Sequence, residues 1–367
     1  MSKYFITGGG TGGHIYPAIA IADALSADSE IFYVGNPKNL EYEIAAQKGY
    51  KFLDVNIQGM PRNFGLKFIK WMFLLFASWL KCCYYLSKYK PDAIIGTGGY
   101  VCAPVFMAAI SGGRVPFIIH DCDARPGLVS RKFAPHAAGV SLAFESAAEF
   151  INNKNIQING NPIRKKFATL PKNSARENLG LKNKRTLCIM GGSQGARTIN
   201  DAAVELLKTF SQECGMQVIF QTGKKNFERV IEQLLKVYPE YETDKNLLIK
   251  PYFEDMVSVL KAGDIAVSRA GSLSLSELCA SGVVPIIVPY PHAAADHQRK
   301  NAQYMVEKGA ALTLEDSELT KHTLKRAVLH LLENDECFDN IRRNVSALAK
   351  FDATEKIVKQ LKESIMR

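Results

Sequence analysis

The chain has no Cys-x-x-Cys pair, no uncharged run of membrane-spanning length and no low-complexity linker. Its eight cysteines are scattered over 367 residues, as expected of reduced thiols in a cytosolic protein and not of a disulfide framework. Tryptophan is scarce: the only two, Trp71 and Trp79, fall in one segment. The uncharged run Trp71–Leu80 there is far short of the roughly 20 residues a spanning helix needs, so the segment is expected not to cross a bilayer. The N-terminus has only a very short apolar run before its glycines, which does not make a signal peptide. Positive charge is in excess, with a formal net charge of +10. That excess points to an anionic partner: nucleic acid, a phosphorylated metabolite or anionic lipid.

What is present is a repeated alternation of short apolar strands and amphipathic helices. Tyr4–Thr7 runs into glycines and then into Ala18–Leu25, and Ile31–Val34, Ala93–Ile95 and Pro116–Ile119 are further strand candidates. The pattern restarts at Arg185–Met190, followed by Gly191–Ala196 and a helix. Val218–Phe220, Leu247–Ile249, Ile265–Val267 and Val284–Val288 then read as strands. Such alternation predicts parallel sheets covered by helices, here an α/β chain of two Rossmann-like domains. The boundary is expected at 163/164. Helices Thr320–Glu333, Asp335–Lys350 and Ala353–Met366 close the chain, the last able to pack back on the N-terminal domain.

Three glycine turns follow strands: Gly8–Gly13 before His14, Gly96-Thr-Gly-Gly-Tyr100, and Gly191-Gly-Ser-Gln-Gly195. Turns of this kind let backbone N–H groups and a helix N-terminus approach an anion. A dinucleotide site also wants an acid at the end of the second strand, and Val34-Gly-Asn36 offers none, which weighs against a nicotinamide or flavin enzyme. The three turns are expected to converge on a cleft between the domains and to hold a nucleotide diphosphate with a second substrate. Nucleic acid fits poorly, because no basic patch interleaved with stacking aromatics accompanies the turns.

Ser274-x-x-Glu277 admits two readings. It matches a capping box. Alternatively, Ser272, Leu273 and Ser274 present backbone N–H groups while Glu277 accepts hydrogen bonds from ribose hydroxyls. Metal readings of His120-Asp-Cys-Asp123, and of His292 with Asp296-His297-Gln298, lack recognisable ligand spacing, so no metal site is expected.

Together, Gly9-Gly-Thr-Gly-Gly-His14, Gly96–Tyr100, Gly160-Asn-Pro-Ile-Arg164, Gly191–Ala196, Arg269–Glu277 and His297-Gln-Arg-Lys-Asn-Ala302 resemble the MurG family. These are peripheral membrane N-acetylglucosaminyltransferases of peptidoglycan synthesis with the GT-B fold. The resemblance implies inverting transfer of GlcNAc from UDP-GlcNAc to lipid I, the undecaprenyl-diphosphate-linked MurNAc-pentapeptide. It implies no obligatory cofactor, and a location on the cytoplasmic face of the bacterial plasma membrane. It places Arg164, Ser193, Phe253, Ser272, Leu273, Ser274, Glu277 and Gln298 around the donor, with Thr11, Gly12, Gly13 and Asp123 toward the transferred sugar. His14, Tyr100, His120 and Asp121 would line the acceptor side, with His14 the first choice of general base and Asp121 the second. The family usually shows His-Glu-Gln-Asn where this chain has His120-Asp-Cys-Asp123. Other readings are a GT-B enzyme acting on a lipid such as diacylglycerol, a UDP-GlcNAc epimerase, and a non-catalytic nucleotide-sugar binding protein. No residue pattern specifies an oligomeric state.

A lipid-linked acceptor gives a reason for the segment around the tryptophans. Lys67, Lys70, Lys81 and Lys88 recur at helical spacing on one stripe, with Ile69, Phe73, Phe76, Leu80 and Cys83 opposite. One side is expected to pack on the N-terminal sheet. A flank of Lys67, Lys70, Trp71, Leu75, Trp79 and Lys81 is expected to dip into anionic lipid.

Overall fold

The computed structural model describes residues 1–61, 63–113, 115–192 and 194–366. The chain forms two compact units, residues 1–163 with 352–367, and residues 164–351. In the first, strands β1 (Ser2–Thr7), β2 (Ser29–Gly35), β3 (Lys51–Asp54), β4 (Ala93–Gly96), β5 (Phe117–Asp121), β6 (Gly139–Leu142) and β7 (Ile156–Ile158) make one sheet in the order 3-2-1-4-5-6-7. Every pairing is parallel. In the second unit, β8 (Thr186–Met190), β9 (Gln217–Gln221), β10 (Leu247–Lys250), β11 (Ile265–Ser268), β12 (Val284–Ile287) and β13 (Leu312–Thr313) run 10-9-8-11-12-13, again parallel.

Parallel strands need helical crossovers, so both faces of each sheet become buried and the central strands are largely apolar. In the first unit successive side chains of β1 split between the faces. Phe5 joins Phe32, Ile94 and Phe117 beneath Tyr85 and Leu86, whereas Tyr4 and Ile6 join Tyr33 and Ile95 beneath Ile15, Ala18 and Ile19. The C-terminal helix, Ala353–Ile365, belongs to this unit and adds Ile357 and Leu361 to the second face. Its Gln360 is buried. The carboxamide accepts from Asn159 Nδ2 at 2.9 Å and donates to the Val140 carbonyl at 3.3 Å, fixing the helix to β6 through polar as well as apolar contact.

Both sheets change winding direction beside their first strand, between β1 and β4 and between β8 and β11. Ligands of open α/β sheets bind outside the strand C-termini at such points. In the first unit the two segments leaving the sheet touch backbone to backbone. Gly99 has φ +86°, and a Cβ there would stand 2.2 Å from the Gly9 carbonyl oxygen, so only glycine fits.

The tryptophan-bearing segment is a 24-residue helix, Leu66–Tyr89. No helix among the described residues is long and apolar enough to cross a membrane. Ser78, Cys82, Tyr85 and Leu86 are its buried residues. Trp71, Leu75 and Trp79 are half-buried against the same core, with Trp71 Nε1 donating to the Gln58 carbonyl at 3.0 Å and Trp79 Nε1 to Ser111 Oγ at 2.9 Å. Lys81 pairs with Asp54 at 2.6 Å. These four therefore do not form the free flank expected of them: the indoles turn inward because the protein itself satisfies their N–H groups. The exposed apolar stripe is instead Ile69, Phe73, Phe76 and Leu80, read from spacing as opposite the lysines, with Met72 beside them. Lys67 and Lys70 remain exposed near its start.

This orientation predicts unequal costs for the same chemical change. Trp79→Glu should lose about 2–4 kcal/mol of stability, from lost packing and a carboxylate placed against the core. Phe73→Glu, at a side chain 70% exposed, should stay within about 0.5 kcal/mol of wild type. Urea unfolding followed by circular dichroism measures both, and equal losses would mean that the stripe is packed.

Candidate functional site

In the first unit the first turn of the Gly12–Leu25 helix meets the segment after β5. Thr11 is the extended N-cap, and His14 lies half-buried in the first turn. His14 Nδ1 is 3.2 Å from the Gly9 carbonyl oxygen and 3.3 Å from Thr11 Oγ1. A carbonyl oxygen can only accept, so Nδ1 carries the proton and the Nε2 lone pair is the basic one. Thr97 Oγ1 donates to the His14 carbonyl at 2.7 Å, tying this turn to the end of β4. Tyr100, in the second glycine turn, accepts from Asn39 Nδ2 at 2.9 Å and borders an apolar cavity of about 190 Å³. Trp71, Leu75, Met107, Val129 and Phe133 also line that cavity.

Asp121, Cys122 and Asp123 follow the same turn round. Asp121 Oδ1 accepts from Asp123 N at 3.2 Å and Oδ2 from Gly127 N at 3.1 Å. Burial, and secondly the Asp123 carboxylate, push the Asp121 acid above the usual carboxylate range. Each of its oxygens thus holds the shape of its own loop, which gives Asp121 an anchoring task. Cys122 is 1% exposed and donates its thiol to the Gly13 carbonyl at 3.4 Å. One ligand atom from each of His14, Cys122 and Asp123 lies within 4.8 Å of the others.

His120 does not line an acceptor surface: it is fully buried. A strand with neighbours on both edges and helices on both faces leaves no opening at this position. Asn159 Nδ2 donates to Ser141 Oγ at 3.0 Å, and Ser141 Oγ lies 3.1 Å from His120 Nδ1. His120 Nε2 is 3.3 Å from Asn161 Oδ1, and Asn161 Nδ2 donates to the Cys122 carbonyl at 3.3 Å. The ring is thus a neutral link in a buried polar chain that ends on the Cys122 backbone. Glu41 was not expected here and is fully buried beside Gly9. Its Oε1 accepts from Asn36 N and Asn39 Nδ2, while Oε2 has no partner among the described residues. Its only sequence signal is an acid in the first turn of the helix after β2.

In the second unit the Ser272–Ser281 helix starts directly after β11 with Gly271 as N-cap and no side-chain cap. Ser274 is therefore the third helical residue and Glu277 the sixth, which removes the capping-box reading. The first-turn amides of Ser272, Leu273 and Ser274 are the orphan donors of the helix N-terminus. Glu277 Oε1 accepts from Arg164 Nη2 at 2.9 Å. Burial pushes the Glu277 acid upward, and the Arg164 guanidinium opposes that shift. Gln298 Oε1 accepts from both Ala270 N at 3.1 Å and Tyr290 N at 3.0 Å, and Asn301 Nδ2 donates to the Ala270 carbonyl at 3.1 Å. One face of the His297–Glu307 helix thereby grips the loop that launches Ser272. Phe253 is 4% exposed and its N–H donates to Gln221 Oε1 at 2.9 Å, so a ligand at that amide would compete with Gln221. Ser193 lies outside the described residues.

Residues 4–141 match the glycosyltransferase family 28 N-terminal domain, and residues 186–361 the glycosyltransferase family 28 C-terminal domain. The chain is 37% identical over its full length to a protein of Desulforamulus reducens, covering 99% of it. It is 36% identical to one from a Thermoanaerobacter species, covering 98% of this chain and 99% of that one. Both bear the name UDP-N-acetylglucosamine–N-acetylmuramyl-(pentapeptide) pyrophosphoryl-undecaprenol N-acetylglucosamine transferase. In fold it is similar to the crystal structure of MurG from Acinetobacter baumannii, with a TM-score of 0.79 at 24% identity, covering 99% of this chain and 100% of that one.

The buried imidazole makes stability depend on pH. Burial lowers His120 from the ordinary 6.5 to about 4, so between those values the unfolded chain takes up a proton that the folded chain refuses. Stability is therefore lost as pH falls through this window, by about 2 kcal/mol between pH 7 and pH 5. His120→Gln should lower stability at both pH values yet lack that share of the slope. Chemical unfolding at the two pH values measures it, and identical slopes would remove His120 from the acid response.

Proposed function

The chain belongs to the family of UDP-N-acetylglucosamine–N-acetylmuramyl-(pentapeptide) pyrophosphoryl-undecaprenol N-acetylglucosamine transferases, and from that premise we propose that it glycosylates lipid I to give lipid II. The supporting observation is end-to-end similarity to those transferases, with both family 28 domains present in order. Incubation with UDP-GlcNAc and a lipid I analogue should yield UDP and a disaccharide-linked lipid. An epimerised sugar, or release of UDP without a lipid product, would overturn the reading.

On the donor side, the second unit supplies the recognition groups. The first-turn amides of the Ser272–Ser281 and Arg197–Val204 helices suit the diphosphate, with Arg164 as the cation and Glu277 as acceptor for the ribose hydroxyls. The NH₂ end of Gln298 suits the sugar, since its oxygen is already engaged. Thr11, Gly12, Gly13 and Asp123 are assigned to the transferred sugar. Reaction is a single displacement: the acceptor hydroxyl oxygen bonds to the anomeric carbon, the bond to UDP breaks, and the proton passes to His14 Nε2. The departing charge is met by helix amides and Arg164, with no obligatory metal.

Glu277→Ala should weaken UDP-GlcNAc binding by roughly 1.5–3 kcal/mol while leaving the melting temperature nearly unchanged, because no helix cap is lost. Calorimetric titration decides it, and unchanged affinity would return Glu277 to a purely internal pairing with Arg164. His14→Ala should lower turnover by about 10²–10⁴ with UDP affinity retained. Near-normal turnover at saturating acceptor would rule His14 out as the base.

The exposed stripe Ile69, Met72, Phe73, Phe76 and Leu80, with Lys67 and Lys70 nearby, is read as the surface that lies on anionic lipid at the cytoplasmic face of the plasma membrane. Binding to anionic vesicles should weaken as salt rises, because exposed lysines contribute a screened attraction. Phe73→Glu with Phe76→Glu should abolish co-sedimentation while UDP affinity stays near normal. Retained sedimentation of a folded double variant would place the membrane contact elsewhere.

A further inference from the structure

We infer that His14, Cys122 and Asp123 form a binding site for a borderline-soft divalent cation, zinc above all. One ligand atom from each lies within 4.8 Å of the other two. The donor set of imidazole nitrogen, thiolate sulfur and carboxylate oxygen is the kind that zinc takes, whereas calcium and magnesium want oxygen alone. Zinc–ligand bonds of about 2.0–2.3 Å put tetrahedral ligands roughly 3.5 Å apart, so side-chain rotations of about 1 Å bring this set to bonding distance.

Two further observations make it more than a chance cluster. The backbone carrying the ligands is fixed from behind: Asn161 Nδ2 holds the Cys122 carbonyl at 3.3 Å, Asp121 Oδ1 holds Asp123 N at 3.2 Å, and the Gly9 carbonyl orients the His14 ring at 3.2 Å. The site is also graded in exposure, with Cys122 buried and His14 and Asp123 half-buried. A cation can therefore enter and keep a water as fourth ligand. Binding displaces the thiol proton, now shared with the Gly13 carbonyl at 3.4 Å, to solvent. No electron moves.

The consequence for turnover rests on His14 being the general base. Metal binding takes the imidazole lone pair that would accept the acceptor hydroxyl's proton, so zinc should inhibit reversibly.

Titration of the metal-free protein with Co²⁺ tests the site without reference to activity. One equivalent should produce a thiolate-to-cobalt charge-transfer band, displaced by Zn²⁺. Cys122→Ser should lose the band, and so should Cys122→Ala, which suits the same buried space. Asp123→Asn should weaken Co²⁺ binding at least about tenfold. Absence of the band, or its persistence in both Cys122 variants, overturns the site. Under turnover, Zn²⁺ should inhibit the wild type, a chelator should restore it, and Cys122→Ser should resist at least about tenfold more zinc. If the band depends on Cys122 but zinc leaves turnover unchanged, the site stands, and the blocking of His14, with its role as base, is overturned.

Discussion

Backbone contact between the Gly9 carbonyl and Gly99 sets the geometry of the first unit's site. The sheet reverses its winding between β1 and β4, and the segments leaving these strands must diverge from adjacent starting points. They do so at a separation that excludes a Cβ at Gly99. The Gly9 carbonyl then faces His14 Nδ1 and decides which imidazole nitrogen is basic. Thr97, one residue past β4, holds the His14 carbonyl from the other side. The His14 turn is thus fixed by the Gly9 carbonyl together with the hydroxyls of Thr11 and Thr97. A backbone carbonyl cannot change rotamer, so the contact at Nδ1 holds the ring close to one geometry.

The second unit solves the corresponding problem with side chains. Gln298 and Asn301 sit one helical turn apart, so both reach the loop before Ser272, one taking the Ala270 N–H and the other its carbonyl. Arg269, in the same loop, donates to the Val288 and Pro289 carbonyls, to Thr198 and to Asp316. A loop held at successive residues fixes the first turn of the following helix, and that turn carries the orphan amides.

The central strands were legible because burial on both faces makes them uninterrupted apolar runs: Tyr4–Thr7, Ile31–Val34, Ile265–Val267 and Val284–Val288 all lie on or overlap observed strands. The strands that periodicity missed were β3, β6, β7 and β13. Three of these are sheet edges, where one side faces solvent or a loop and the composition turns mixed. β6 escaped because Ser141, fully buried, serves the polar chain through His120 and interrupts its apolar pattern. At the site, the glycine turns were legible as motifs. The choice between cap and acceptor at Glu277 was not, because it depends on the helix beginning at Ser272 and not at Ser274. Nor was the inward turn of the tryptophans: spacing gives a face its residues but not the partners, here Gln58 and Ser111, that draw a face inward.

His120 and His14 show why the same residue type takes opposite tasks a short distance apart. His120 projects from a strand buried on both sides, and desolvation holds it neutral to about pH 4, so near neutrality it can only relay fixed hydrogen bonds. His14 sits at a helix start, half-exposed, with one nitrogen anchored and the other available. The buried ring nevertheless bears on the exposed one. Through Asn161 it fixes the Cys122 carbonyl, and the Cys122 thiol rests on the Gly13 carbonyl, immediately before His14. Replacing His120 by an apolar side chain would leave Ser141 and Asn161 without their shared partner in a place water does not reach. The cost of that change would therefore fall on the shape of the 121–127 loop as well as on the core.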